Sequence, residues 1–102
     1  MVRVLAAAAY RIDELYRYSL NRWGHEQAER YLRGLFATAA KIETNRIASR
    51  PIPAAFGVDG YVCRYERHYI YWRKLENGDI GIVTVLHERM HQFARFQDDI
   101  KL

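Results

Sequence analysis

The chain has 102 residues, half of them apolar and 14% aromatic, enough for one packed domain over residues 1–102 and too few for a second core. That composition excludes a disordered chain, and the single cysteine, Cys63, excludes an internal disulfide. The net charge of +4 rests on arginine far more than on the three lysines Lys41, Lys74 and Lys101, and arginine suits carboxylates and phosphates; that fits an acidic partner or nucleic acid, although charge alone decides little in a small basic domain.

The apolar start, Met1 to Tyr10, is too short to span a bilayer and runs into Asp13 and Glu14, so a soluble, cytoplasmic protein with no membrane contact is expected. A short strand is read at Val2 to Leu5. From Ala7 to Trp23 the residues Ile12, Leu15, Tyr16, Ser19, Leu20 and Trp23 recur on one face of a helix. Gly24 ends that helix, and a second runs from Glu26 to Asn45 with the stripe Ala28, Tyr31, Leu32, Leu35, Phe36, Ala39 and Ile42. So short a connection makes the pair an antiparallel hairpin.

Periodicity lapses from Asn45 to Gly60, where Pro51, Pro53, Gly57 and Gly60 predict a loop or a short edge strand. Three strands follow, at Tyr61 to Glu66, His68 to Leu75 and Ile80 to His87. Asn77-Gly78 between the last two reads as a two-residue type I′ turn. That turn would set Trp72 opposite Val83, Ile70 opposite Val85 and His68 opposite His87. One face would then carry His68, Ile70, Trp72, Val83, Val85 and His87, the other Tyr69, Tyr71, Arg73, Leu75, Ile80, Ile82, Thr84 and Leu86. Both faces are apolar and one helical hairpin covers only one of them. Either the second face awaits another chain, or the loop and the tail fold back over it. The tail carries Phe93, Phe96 and Ile100 at helical spacing, which fits a short terminal helix laid on the sheet. The fold class expected is α+β: a short strand, an antiparallel helical hairpin and a small antiparallel sheet.

His87-Glu88-Arg89-Met90-His91 matches H-E-x-x-H, the letters of a zinc peptidase. That chemistry needs both histidines one turn apart on a helix, with the glutamate as base on a metal-bound water. The β-branched run from Ile82 to Val85 places His87 at a strand end instead. A catalytic zinc also wants a third protein ligand, and no His or Cys follows His91. No metal site or cofactor is expected.

Several stretches resemble the ParE-type toxins of the RelE/ParE toxin–antitoxin superfamily. They are Tyr18 with Asn21-Arg22-Trp23-Gly24, then Glu26-Gln27-Ala28-Glu29, Tyr31-Leu32 and Leu35, His68, Ile70 and Trp72-Arg73, and finally Ile82-Val83, Val85-Leu86-His87-Glu88-Arg89-Met90. They stand in the family's order and cover most of the chain. The chain departs from the family pattern between Asn45 and Arg67, where Arg50-Pro51-Ile52-Pro53 and Glu66-Arg67 replace a Pro-x-x-Gly loop and a glycine. The resemblance implies a fold of a strand, a helical hairpin and an antiparallel sheet. It also implies a growth-inhibiting toxin that poisons DNA gyrase by binding it, with no catalytic set, neutralised by a ParD-type antitoxin, and DNA met only indirectly through that antitoxin. The RelE branch cleaves messenger RNA on the ribosome, a reaction needing an acid/base pair and charge-stabilising arginines. Arg64, Arg67, Arg73, His87 and Arg89 offer such groups, but three lysines are few for gripping RNA. The ribonuclease is thus the alternative.

Tyr69, Tyr71 and Arg73, on the face away from the predicted core, form the leading partner-binding set, because aromatics and arginine dominate interface hot spots. Arg89 and Met90, just past the last strand, either cap the sheet edge or touch the target. Arg11, Arg17 and Tyr18 on the first helix form the second candidate face. Trp23 reads as a core anchor of the hairpin junction, Cys63 as a small buried apolar residue, and His68 and His87 as a facing pair of which at least one stays neutral.

Overall fold

The computed structural model describes residues 1–101. Strand β1 spans Val2–Val4 and leads into helices α1, Ala6–Trp23, and α2, His25–Glu43. A two-residue strand β2, Arg50–Pro51, and one 3-10 turn at Ala54–Phe56 occupy the proline segment. Strands β3, Tyr61–Tyr65, β4, His68–Lys74, and β5, Ile80–His87, follow, and helix α3, Gln92–Ile100, closes the chain. The sheet order is β1-β5-β4-β3-β2, antiparallel except for the parallel pairing of β1 with β5. The expected α+β architecture is the one observed.

The β4–β5 turn differs from the expected one. Leu75 N–H donates to Asp79 O at 2.8 Å and Gly78 N–H to Leu75 O at 2.9 Å, so the loop is the three residues Glu76-Asn77-Gly78. Only Gly78 has a positive φ, +89°, whereas a type I′ turn requires two such residues. Asn77 instead accepts the Asp79 N–H with its side chain, a local turn bond. The longer loop shifts the first pairs by one, so Trp72 lies opposite Ile82, not Val83. A β-bulge at Tyr71/Trp72 absorbs Val83 and restores the expected register at Ile70–Val85 and His68–His87. Because a one-residue slip exchanges the two faces, Ile80 and Ile82 join the helix side and Val83 the opposite side.

Two cores result. Ala8, Leu35, Ala39 and Ile42 of the hairpin pack on Cys63, Ile70, Trp72, Ile80, Ile82 and Val85. On the other face, Ile52, Val62, Tyr71, Val83 and Leu86 pack under Phe96 of α3, with Phe56, Val58, Tyr69 and Met90 around them. The loop and tail therefore cover the second apolar face. Tyr71 is 4% exposed and its hydroxyl donates to Gln92 Oε1 at 2.8 Å, so it is a core residue and not the partner-facing one expected. The reverse correction applies to the hairpin. Trp23, beside the junction at Gly24, is 61% exposed, and Leu20 and Phe36 are also exposed.

Candidate partner-binding cleft

Near the His68–His87 end of the sheet, α1 from Tyr10 to Trp23, the start of β4 and the end of β5 enclose an open cleft. Its floor is set by a buried polar chain. His68 lies 8% exposed, its ring 5.0 Å from that of His87, and the Tyr31 hydroxyl sits 2.7 Å from His68 Nδ1. Burial, with the adjacent His87, pushes His68 down to about 4, against a weaker pull from Glu88, so the ring is neutral and Tyr31 donates to it. Burial likewise pushes the Tyr31 hydroxyl up to about 12. Tyr65 donates to the Tyr31 carbonyl at 3.0 Å, reaching it across Gly34, where a Cβ would strike the Tyr65 phenol.

One wall is the β3–β4 turn. Glu66 takes φ +51° there, and Arg64 and Arg67 on either side both pair with Glu88, Arg67 at 3.0 Å. Burial works to raise the Glu88 carboxyl, but the Arg67 hydrogen bond and the charges of Arg64 and Arg67 hold it below the usual range. His87 ends β5 and its Nδ1 accepts the Arg89 N–H at 3.0 Å, while His91 caps α3 by accepting the Ala94 N–H at 3.2 Å. The H-E-x-x-H letters thus straddle a strand end and a helix cap, and the one-turn helical geometry of a zinc peptidase is not formed.

The opposite wall is α1, carrying Tyr10, Arg11, Tyr18, Arg22 and Trp23. Of the residues expected to meet partners, Tyr18, Arg89 and Met90 converge here: Tyr18 is 61% exposed, Arg89 exposed and Met90 half-buried. Arg17 is exposed and pairs with Asp13 along the helix at 3.1 Å. Arg11 is different. Its guanidinium grips buried Asp99 through Nε at 3.0 Å and Nη2 at 2.9 Å, so it fastens α3 to α1 and does not form the free partner face expected. Tyr69 and Arg73 lie elsewhere, on the α3 side of β4, with Tyr69 half-buried and Arg73 exposed. Sequence reading missed Tyr10 and Trp23 as surface groups and did not single out Arg22, set off the apolar stripe of α1, as a cleft residue. The available signal was that Tyr10 and Tyr18 fall off the apolar stripe of α1.

A strand, a helical hairpin, a mostly antiparallel sheet and a covering helix, with an arginine-rich cleft at one end, define a small α+β domain. A solved structure described as the chromosomal ParDE TA system from P. aeruginosa matches with a TM-score of 0.65 at 19% identity, over 84% of this chain and 92% of that one. Toxin ParE1 of Mycobacterium tuberculosis, in strains CDC 1551 / Oshkosh and ATCC 25618 / H37Rv, is 30% identical and covers 82% of this chain and 85% of its own length. The family model for the ParE toxin of type II toxin–antitoxin system, parDE, matches residues 2–92. The chain belongs to the ParE toxin family, and is the toxin of a parDE type II module.

Proposed function

We propose that this toxin arrests bacterial growth in the cytoplasm by binding DNA gyrase, and that a ParD-type antitoxin neutralises it by covering its surface. The observation that carries this reading is the family match over residues 2–92. The toxin acts by occupying another enzyme and not by its own chemistry. In support, the titratable groups nearest one another are already engaged: His68 by Tyr31, and Glu88 by Arg64 and Arg67. A ribonuclease would need an acid/base pair poised for transfer, whereas burial holds His68 neutral far below pH 7.

The antitoxin surface follows from exposure. Tyr18, Arg89 and Met90 offer one patch, with Arg17 exposed beside Tyr18 on α1, and Tyr69 with Arg73 a second, on different sides of the sheet. A partner that folds as it binds can wrap both, as disordered segments do. Induced expression in a growing bacterium tests the target. Filamentation with trapped gyrase–DNA cleavage complexes is expected, relieved by co-expressed antitoxin. Rapid arrest of translation with intact DNA would instead assign the ribosome.

A further inference from the structure

The cleft beside α1 gathers arginines. Six of them (Arg11, Arg22, Arg64, Arg67, Arg89, Arg95) and two glutamates line it, and with Glu88 and Asp99, which hold three of those arginines, the local surplus is +2, six positive charges against four negative. Arg11, Arg64 and Arg67 are held by Asp99 and Glu88. Arg22 and Arg89 make no ion pair among the described residues, and Arg95 reaches only Asp98 of its own helix, at 3.6 Å.

The same cleft displays aromatic faces. Tyr10, Tyr18 and Trp23 are each 61% exposed along the α1 wall. Tyr10 and Tyr18 are eight residues apart, roughly 12 Å along a helix. The Arg22 guanidinium lies 5.3 Å from the Trp23 ring centroid, so charge and ring alternate. An acidic peptide would use the arginines, but its side chains seek holes, and these rings protrude. A nucleic-acid strand meets both features, with phosphates for guanidiniums and a flat π face on every base for the rings.

We propose that this cleft binds a single-stranded stretch of nucleic acid, with Arg22 and Arg89 on the phosphodiester backbone and Tyr18 and Trp23 stacking on bases. The strand is bound and not cut. The proposal rests on the gyrase reading only for its source; direct DNA contact then replaces contact through the antitoxin alone. An antitoxin covering Tyr18 and Arg89 would close the site.

Fluorescence anisotropy of the full chain with labelled oligonucleotides of about 12 residues, as DNA, RNA and duplex DNA, tests it. Both single strands should bind, and two neutralised phosphates would weaken them roughly sevenfold between about 50 and about 200 mM salt. Arg22→Glu and Arg89→Glu should each weaken binding about tenfold or more, since each removes one phosphate contact and adds repulsion. Tyr18→Ala should cost about five- to a hundredfold by lost stacking, and the strand should quench Trp23 fluorescence. Lys41→Glu, an equal charge change at the exposed far end of α2, should leave affinity within about twofold. Tighter DNA than RNA binding points to gyrase-held DNA, tighter RNA binding to a transcript, and both support the site.

Duplex bound as tightly as single strand, or single-strand binding indifferent to Arg89→Glu and Tyr18→Ala, overturns the proposal. So does a polyglutamate peptide that binds with that dependence while neither oligonucleotide does, which would assign the cleft to an acidic protein. Gyrase poisoning without strand binding sinks this inference alone. Strand binding without gyrase poisoning sinks the target and leaves the cleft.

Discussion

His68 is packed among Tyr31, His87 and the Glu88 charge, and its placement sets a pH dependence for the fold. Its folded pKa of about 4 lies below the ordinary 6.5, so on acidification the unfolded chain takes up the proton first. Its neutrality is fully compatible with folding above pH 6.5, and stability falls as pH drops from there towards about 4, by up to about 3 kcal/mol. Urea midpoints at neutral pH and near pH 5 should show this fall, and His68→Gln, which keeps a partner for Tyr31 without titrating there, should flatten it. Parallel curves for the two proteins would place the slope on other groups. Trp72 is the larger single contributor to packing: it is 8% exposed, stacks on Tyr61 at 4.6 Å and donates from Nε1 to Ser49 at 3.1 Å. Trp72→Ala should cost about 3–5 kcal/mol, and Tyr69→Ala, half-buried at the rim, distinctly less. A melt in which Tyr69→Ala is the more damaging would contradict the assignment of the two faces.

Between elements, one buried polar link joins α1, β5 and α3. Asp99 is 6% exposed, receives both prongs of Arg11, and accepts the Thr84 hydroxyl at 2.7 Å. Removing one side of a buried ion pair strands the other, so Asp99→Ala should cost about 3 kcal/mol. The loss should appear first as faster hydrogen exchange in α3, since Phe96 then holds that helix with its charged anchor gone. Unchanged exchange there would show that apolar contacts alone retain it. This anchor also marks what the sequence conceals. Phe93, Phe96 and Ile100 at helical spacing make α3 legible, but a carboxylate reads as a solvent group until an arginine 88 positions away is known to meet it. The hairpin register was legible at its far end for a similar reason. Asn-Gly serves two-residue and three-residue turns alike, and the bulge at Val83 cancels the difference by His68–His87. Trp23 was misread because periodicity assigns a face to a side chain without saying whether anything packs against its last turn. The arginines of the cleft were legible in kind, but their convergence depends on a β3–β4 turn and a helix end that local patterns do not bring together.

At the scale of the whole molecule, roughly 37 × 30 × 21 Å, the exposed candidate residues fall on two sides that no small ligand could bridge. Arg73 lies near the turn end of β4 on the α3 side, whereas Tyr18 and Arg89 border the cleft at the sheet's other end. An extended segment of roughly ten residues would span the intermediate dimension at about 3.3 Å per residue, so a flexible acidic antitoxin tail can touch both patches. Arg73→Glu should then weaken antitoxin binding by slowing association and loosening one patch. The melting temperature of the free toxin should barely move, because Arg73 is exposed and surface charges add little to folding. Titration calorimetry against the cognate antitoxin, paired with thermal melts of the free chain, separates the two effects. Arg17→Glu gives the matching measurement on the α1 side. If Arg73→Glu binds with unaltered affinity while Arg17→Glu does not, the antitoxin grips the α1 side alone and does not wrap the sheet. If both bind normally, neutralisation runs through surfaces other than the exposed arginines.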